Sequence, residues 1–182
     1  QLTDATAQFQ ASGDGVAVAG GEESVAAGSN AATDGDYATA VGSASFAAGS
    51  GATALGSGAF ALADNASAVG FNALASGANA IAVGANAQAS GEYATATGAE
   101  SEASGEQSTA TGAASVASGA GSFAGGALSD AAGEESVALG YYSSASGQGA
   151  TAVGAESVVS GTLSAGYGFG SEATAGYTTA IG

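Results

Sequence analysis

Hydrophobic, small and polar positions alternate along this chain with a beat of seven residues. Counting by seven from Gly21 through Gly28, Gly35 and onward to Gly182, only Ala63 and Ala175 among 24 positions are not glycine. Four residues before each of these glycines, from Ser24 to Thr178, only Ala, Ser or Thr occurs. Two residues before, 20 of 23 positions are Ala, and Thr33, Val159 and Gly166 are the exceptions. Positions two apart share one face of a β-strand. The pattern therefore predicts a short strand with a small-residue face, then a glycine corner, in every seven residues. Corners that need positive φ account for the glycine. Gly13 and Gly20 stand one residue out of step, which places a one-residue insertion near Gly20 and Gly21.

The positions between the small columns distinguish alternate strands and make the true period fourteen. In one half they are apolar or Thr: Thr39 and Val41, Thr53 and Leu55, Ile81 and Val83, Val137 and Leu139, Thr151 and Val153, Thr179 and Ile181. In the other half they are mostly polar, as at Gln88 and Ser90 or Glu102 and Ser104, with Phe46, Phe60, Leu62 and Val158 departing. Each unit reads as a coil of two five-residue strands and two tight turns, stacked on the next by parallel hydrogen bonds. The fold class expected is all-β, a parallel β-solenoid with two short strands per coil. About eleven and a half coils, roughly 4.8 Å apart, make a rod near ~55 Å long.

Both strands present Ala and Ser inward, so the roll is thin, and a second apolar face lies outside it. That stripe comprises Val41, Leu55, Val69, Ile81, Val83, Val137, Leu139, Val153 and Ile181. An apolar stripe along a solenoid marks an interface, and here it is expected to join copies of the chain. The structural corners are expected at Gly42, Gly56, Gly70, Gly84, Gly98, Gly112, Gly140 and Gly154.

Composition sharpens this picture. Glycine is 33 of 182 residues, and Pro, Cys, Met, Trp, His, Lys and Arg are absent. Apolar content is mostly Ala, whose small area contributes little at about 25 cal/mol per Å². A regular backbone ladder and a partner copy must therefore supply stability. The formal charge is −16 with nothing positive to offset it. Nucleic acid, which is bound through Lys and Arg, is excluded as a partner, and anionic lipid is repelled. There is no apolar run of about 18 residues, so no direct membrane insertion by this segment is expected. The N-terminus lacks the basic and apolar regions of a signal peptide, which suits a segment already processed or cut from a longer chain. Of the 14 acids after residue 20, ten lie in the two positions after a repeat glycine, and none falls in a small column.

Candidate chemistry is sparse. A nucleophilic serine needs a base, and neither His nor Lys is present. Glu100 with Glu102, read as same-face strand neighbours, and Glu134 with Glu135 at a corner are the carboxylate pairs, and both read as solvated corners rather than glycosidase dyads. Thr33-Asp34-Gly35-Asp36 is the best local Ca²⁺ candidate, but the calcium-binding glycine-rich nonapeptide is missing, and neither metal nor cofactor is expected. The glycines resemble no phosphate loop, which needs a following helix. Tyr141, Tyr142, Tyr167, Phe169 and Tyr177 read as corner packing in preference to a stacking patch for sugar or peptide. Thr95/Thr97 and Thr109/Thr111 form two rungs of the Thr-x-Thr array expected of an ice-binding solenoid, interrupted by Phe123 and Gly125 on one side and by Leu55 and Val83 on the other.

The segments NAIAVG (Asn79 to Gly84), ESVALG (Glu135 to Gly140) and ATAVG (Ala150 to Gly154), with ASG half a period away, resemble the head repeats of YadA-type trimeric autotransporter adhesins. These are surface fibres of Gram-negative bacteria. The resemblance spans residues 10–182 as one domain and leaves 1–9 as a lead-in. It implies a left-handed parallel β-roll, three protomers about a shared axis, and display at the bacterial cell surface. It also implies a non-catalytic adhesive role toward a host matrix protein, glycan or cell-surface receptor. The chain departs from the family in lacking basic residues, in its scarcity of Asn before the core motif, and in Thr at Thr95 to Gly98 and Thr109 to Gly112. Neck, coiled-coil stalk and membrane anchor are not part of this sequence, which reads as a head segment. A structural fibre subunit stacking end to end is the alternative reading, and an ice-binding solenoid a third.

Overall fold

The alternation of small and larger side chains folds into strands only two or three residues long. A computed structural model describes residues 15–182 and, by backbone alone, residues 9–11. The expected lead-in at 1–9 lies outside the described residues except for Phe9, which opens β1 (Phe9–Ala11). β2 (Val18–Ala19), β3 (Val25–Ala27), β4 (Ala32–Thr33) and β5 (Thr39–Val41) begin a series of 25 strands, with no helix among the described residues. Odd strands form a 13-stranded parallel sheet and even strands a 12-stranded one. Thirteen rungs at about 4.8 Å give a rod on the order of 60 Å.

The strands are shorter than the five residues expected because the corners claim the rest of each half-coil. At most corners the carbonyl of the seven-residue series accepts the N–H three residues on, as Gly42 does from Ser45 at 3.3 Å. The third residue of such a turn takes positive φ, the mark of a type II turn. It is the residue two after the glycine, from Glu23 (φ 49) to Tyr177 (φ 60). The corners are themselves laddered between coils, as where the Asn86 N–H donates to the Phe71 carbonyl at 2.8 Å. Thus most backbone groups of a coil outside the tight turns find their partner in a neighbouring coil, the arrangement that stabilises solenoids repeat by repeat.

The repeat glycines are of two kinds, and positive φ explains only one. Where the chain leaves the three-residue sheet, Gly42, Gly56, Gly70, Gly84, Gly98, Gly112, Gly140 and Gly154 have φ between 131° and 139°. Where it leaves the two-residue sheet, as at Gly91, φ is not positive, but an added Cβ would collide with the Gly105 carbonyl of the next coil. Both non-glycine members of the series, Ala63 and Ala175, belong to this second kind. The register also corrects the insertion. Val18 faces Ala32 and Val25 faces Thr39, fourteen residues on, whereas Phe9 faces Val25, sixteen on. Two extra residues therefore lie between Ala11 and Val18, rather than one near Gly20.

The two small columns form the core. From Ala26 to Val159 the inward residues two before each glycine are fully buried, as are nearly all those four before. Each exception to the Ala column is matched across the interior. Thr33 donates its hydroxyl hydrogen to Ser24 Oγ at 2.9 Å, and Ser24 in turn bonds the Gly21 carbonyl at 2.7 Å. Val159 reaches into the space left by Gly166, where an added Cβ would sit 2.8 Å from Val159 Cγ2. Some inward serines double the turn bond, as Ser101 Oγ does to the Gly98 carbonyl at 2.9 Å, whereas the Ser108, Ser122, Ser136, Ser157 and Ser171 hydroxyls have no protein partner.

Gly166→Ala should therefore destabilise the roll by about 1–3 kcal/mol through overpacking. Adding Val159→Ala, which restores the commonest pair of the repeat, should recover most of the loss. Urea denaturation of the two single variants and the double variant measures this coupling; additive losses would refute the pairing.

Candidate functional site

With only small side chains inside, the larger ones must lie outside, and the register sorts them into files. On the outer face of the 13-stranded sheet, Val41, Leu55, Val69 and Val83 follow one another in adjacent rungs. Leu139, Val153, Tyr167 and Ile181 continue the same file toward the C-terminus. Ile81 and Val137 stand in the parallel file two residues earlier in each strand. All nine stripe residues of the sequence thus share one face, and Val41, Leu55, Ile81, Leu139 and Ile181 are exposed in the single chain. Tyr167 belongs with them. Its position directly before Gly168, in the apolar half of the repeat, is the signal that places it there.

The stripe is interrupted at Thr97, Thr111 and Gly125. At Gly125 the interruption is filled from the side: a Cβ there would lie 2.6 Å from Phe123 Cε1 and 2.9 Å from Leu139 Cδ1. Phe123 and Leu139 thus lean over the bare backbone and keep the surface apolar. The Thr95/Thr97 and Thr109/Thr111 rungs are neighbours in register, flanked by Ile81/Val83 and Phe123/Gly125. Two rungs make no extended threonine plane.

The outer face of the 12-stranded sheet is mixed. Phe46, Phe60 and Leu74 stack in register on it. Farther along, Glu102, Val116, Asp130, Ser144, Val158 and Glu172 follow one another.

The two edges of the roll differ in charge. Eight of the ten corner acids, from Glu22 to Glu135, lie where the chain enters the 13-stranded sheet; only Glu100 and Glu156 lie on the other edge. Some of these carboxylates cap the ladder: Asp36 accepts the Glu22 N–H at 2.8 Å and Asp64 the Ser50 N–H at 2.9 Å. The Thr33-Asp34-Gly35-Asp36 oxygens diverge, since Thr33 is in the core and Asp36 is bonded to Glu22. Among the described residues, no group of three or more acidic side chains converges on one metal position. Glu100 and Glu102 are not strand neighbours as expected. Glu100 holds the positive-φ corner (φ 60), and Glu102 opens the next strand.

The C-terminal aromatics do not pack in the corners and do not form one patch. Tyr141 and Tyr142 share one corner at 55% and 61% exposure. Phe169 lies on the same edge, Tyr167 on the sheet face and Tyr177 on the opposite edge. Leu128, Asp130, Tyr142 and Ser144 border a shallow cleft, and loss of hydration raises the Asp130 pKa above its ordinary value although the side chain keeps an exposed edge.

The chain is thus a parallel two-sheet solenoid with a small-residue interior and one largely apolar outer face. Five consecutive stretches, residues 19–45, 47–73, 75–101, 103–129 and 131–157, match the YadA head domain repeat as two-copy units. The chain belongs to the YadA head family and is an adhesin-type binding module. YadA-type adhesins are surface-displayed bacterial proteins and are in general not enzymes. The crystal structure of the collagen-binding domain of the Yersinia adhesin YadA is similar at 24% identity and a TM-score of 0.40, over 92% of this chain and 70% of that one. Among curated proteins nothing matches the chain.

The raised pKa of Asp130 has a definite sign. A carboxyl whose folded pKa exceeds its unfolded value favours folding while protonated, and that advantage disappears as pH rises through the folded pKa. Asp130→Asn should therefore raise the melting temperature at pH 7 and change it little at pH 3. Its gain at pH 7 should exceed that of Glu92→Gln, which removes an equal charge from an exposed corner. Thermal unfolding of both variants at the two pH values checks this.

Proposed function

We propose that the chain is the head of a trimeric adhesin. Three copies pack the outer faces of their 13-stranded sheets around a common axis and display the 12-stranded sheets and the edges outward. The observation that carries this reading is the file from Val41 to Ile181, a partly to fully exposed apolar row broken at Thr97, Thr111 and Gly125, on a protein whose interior contains little beyond Ala and Ser. Burying that row against copies of itself supplies the hydrophobic area that the core lacks. Family membership supports surface display and attachment, with a host matrix protein, glycan or cell-surface receptor as the partner. The outward surface is acidic and contains no Lys or Arg, which favours a neutral or basic target.

Size-exclusion chromatography with light scattering is the direct test. A mass near three times the 16.4 kDa of one chain is expected. Val83→Asp places a carboxylate from each copy near the shared axis, where unpaired charge is strongly unfavourable, and should shift the mass to that of one chain. Glu92→Gln should leave the trimer intact. An unchanged mass for Val83→Asp would refute the interface, and a large polydisperse mass would indicate end-to-end stacking instead.

A further inference from the structure

On the edge where the chain leaves the 13-stranded sheet, one coil carries bulky side chains at both corner positions, Tyr141 and Tyr142. The residue directly after the glycine is Ser or Ala in eight of eleven coils and aromatic at Phe71, Tyr141 and Phe169. The next position, at positive φ, holds Asn, Gly, Ala or Glu in nine of eleven coils and Leu128 and Tyr142 in the other two. A bulky residue at φ 59 or 56 is disfavoured by contact between its Cβ and the following carbonyl. The turn itself therefore does not select Leu128 or Tyr142.

These side chains shape a depression that crosses three coils. Tyr141, Tyr142, Ser144, Glu156 and Val158 line an open cleft of about 470 Å³. Leu128, Asp130, Tyr142, Ser143 and Ser144 line another of about 310 Å³ beside it. The two share Tyr142 and Ser144, so they form one surface feature. The tyrosine rings stand 6.1 Å apart, centroid to centroid, at 41°. Asp130 and Glu156 occupy the rungs on either side of Tyr142, and Leu128 and Val158 add apolar floor on those same rungs.

Aromatic faces attract a cation within about 6 Å of the ring. Carboxylates provide its ion partners, and an apolar floor suits the methylene stem of a long basic side chain. The surrounding field points the same way, since the chain carries −16 and no positive group. We infer that this depression binds a lysine or arginine side chain of a partner protein, with its stem over Leu128 and Val158 and its charge among Tyr141, Tyr142, Asp130 and Glu156. Loss of hydration at Asp130 is consistent with a carboxylate that gains from a cationic partner. The inference rests on the reading of the chain as a binding module and is independent of its trimeric state.

The test titrates the intact chain with the peptide acetyl-Gly-Lys-Gly-amide at 150 mM salt, read by tyrosine fluorescence and by calorimetry. The norleucine analogue is the control, and light scattering of each sample separates this question from the trimer's. Binding with a Kd of ~1 mM or tighter is expected for lysine, and at least about threefold weaker binding for norleucine, on the scale of one cation–aromatic contact. Tyr141→Ala/Tyr142→Ala should abolish the signal. The fold should survive, because Ala44 and Ala114 hold the same positive φ and Ala85 stands at the other position. Asp130→Asn and Glu156→Gln should each weaken binding at least about twofold, and Glu106→Gln on the opposite edge should not. Equal effects of Glu106→Gln and Glu156→Gln would show diffuse attraction and overturn the site. Equal binding of norleucine would overturn the cation, and no binding would overturn both.

Discussion

Everything in this protein follows from how closely its two sheets approach. The gap admits a methyl or hydroxymethyl group from each side and little else, so the inward columns are Ala and Ser for more than twenty half-coils. Such a core cannot be filled by choosing among Leu, Ile and Phe, and it gains little from area burial. What it secures is register. A strand slipped by one residue would drive Thr, Val or Glu into a space sized for Ala. The matched exceptions demonstrate the constraint: Val159 is accommodated because Gly166 is bare, and Thr33 because Ser24 accepts its hydroxyl hydrogen. Close packing at this scale leaves volume to be exchanged between partners and none to be added.

The same closeness governs the corners. A chain that reverses between sheets so near each other has room for one tight turn, and successive turns must stack at the strand spacing. On both edges a Cβ would crowd a carbonyl of the next coil; one edge also demands a backbone conformation reserved for glycine, and Ala63 and Ala175 stand on the other. Charge is confined to what remains. With every acid among the described residues facing solvent and none in the small columns, the chain repels itself mainly along one ridge. There carboxylates such as Asp36 and Asp64 bond backbone N–H groups of the preceding coil, which offsets part of the repulsion.

Much of this was legible in the sequence, because a period of fourteen with two strict columns leaves one backbone solution. The inner face, the outer apolar file and the corner glycines could be read directly. Strand length could not, since the seven-residue spacing does not say how much of each half-coil the turn consumes. Nor could the two kinds of glycine, which share one letter and a close carbonyl in the next coil while only one also takes positive φ. The positive-φ position two residues later was hidden for a different reason. Its occupants include Tyr37, Glu100 and Leu128, residues that intrinsic preference argues against and only the stacked ladder enforces. Phe123 read only as an interruption of the threonine rungs, but it covers Gly125 and keeps the stripe apolar there. The aromatics read as one C-terminal group, yet neighbours in sequence such as Tyr167 and Phe169 are separated by a corner onto different surfaces.

A roll of this kind divides its tasks among its surfaces. The interior sets register but contributes little hydrophobic stabilisation, so its columns tolerate almost no variation. The apolar outer file can supply that stabilisation only when another surface covers it, and it needs only to stay apolar, as Phe123 beside Gly125 shows. The remaining face and edges are bound by neither demand. Most side chains there can change without disturbing the ladder, which is made by backbone except where carboxylates such as Asp36 and Asp64 cap it. This is where Phe46, Leu128, Tyr141 and Tyr142 stand in place of the small and polar residues of other coils. For a module that must keep one shape while meeting different partners, specificity belongs on those surfaces. A weak cleft there, repeated on copies held about one axis, would gain by effective concentration what a single shallow contact lacks.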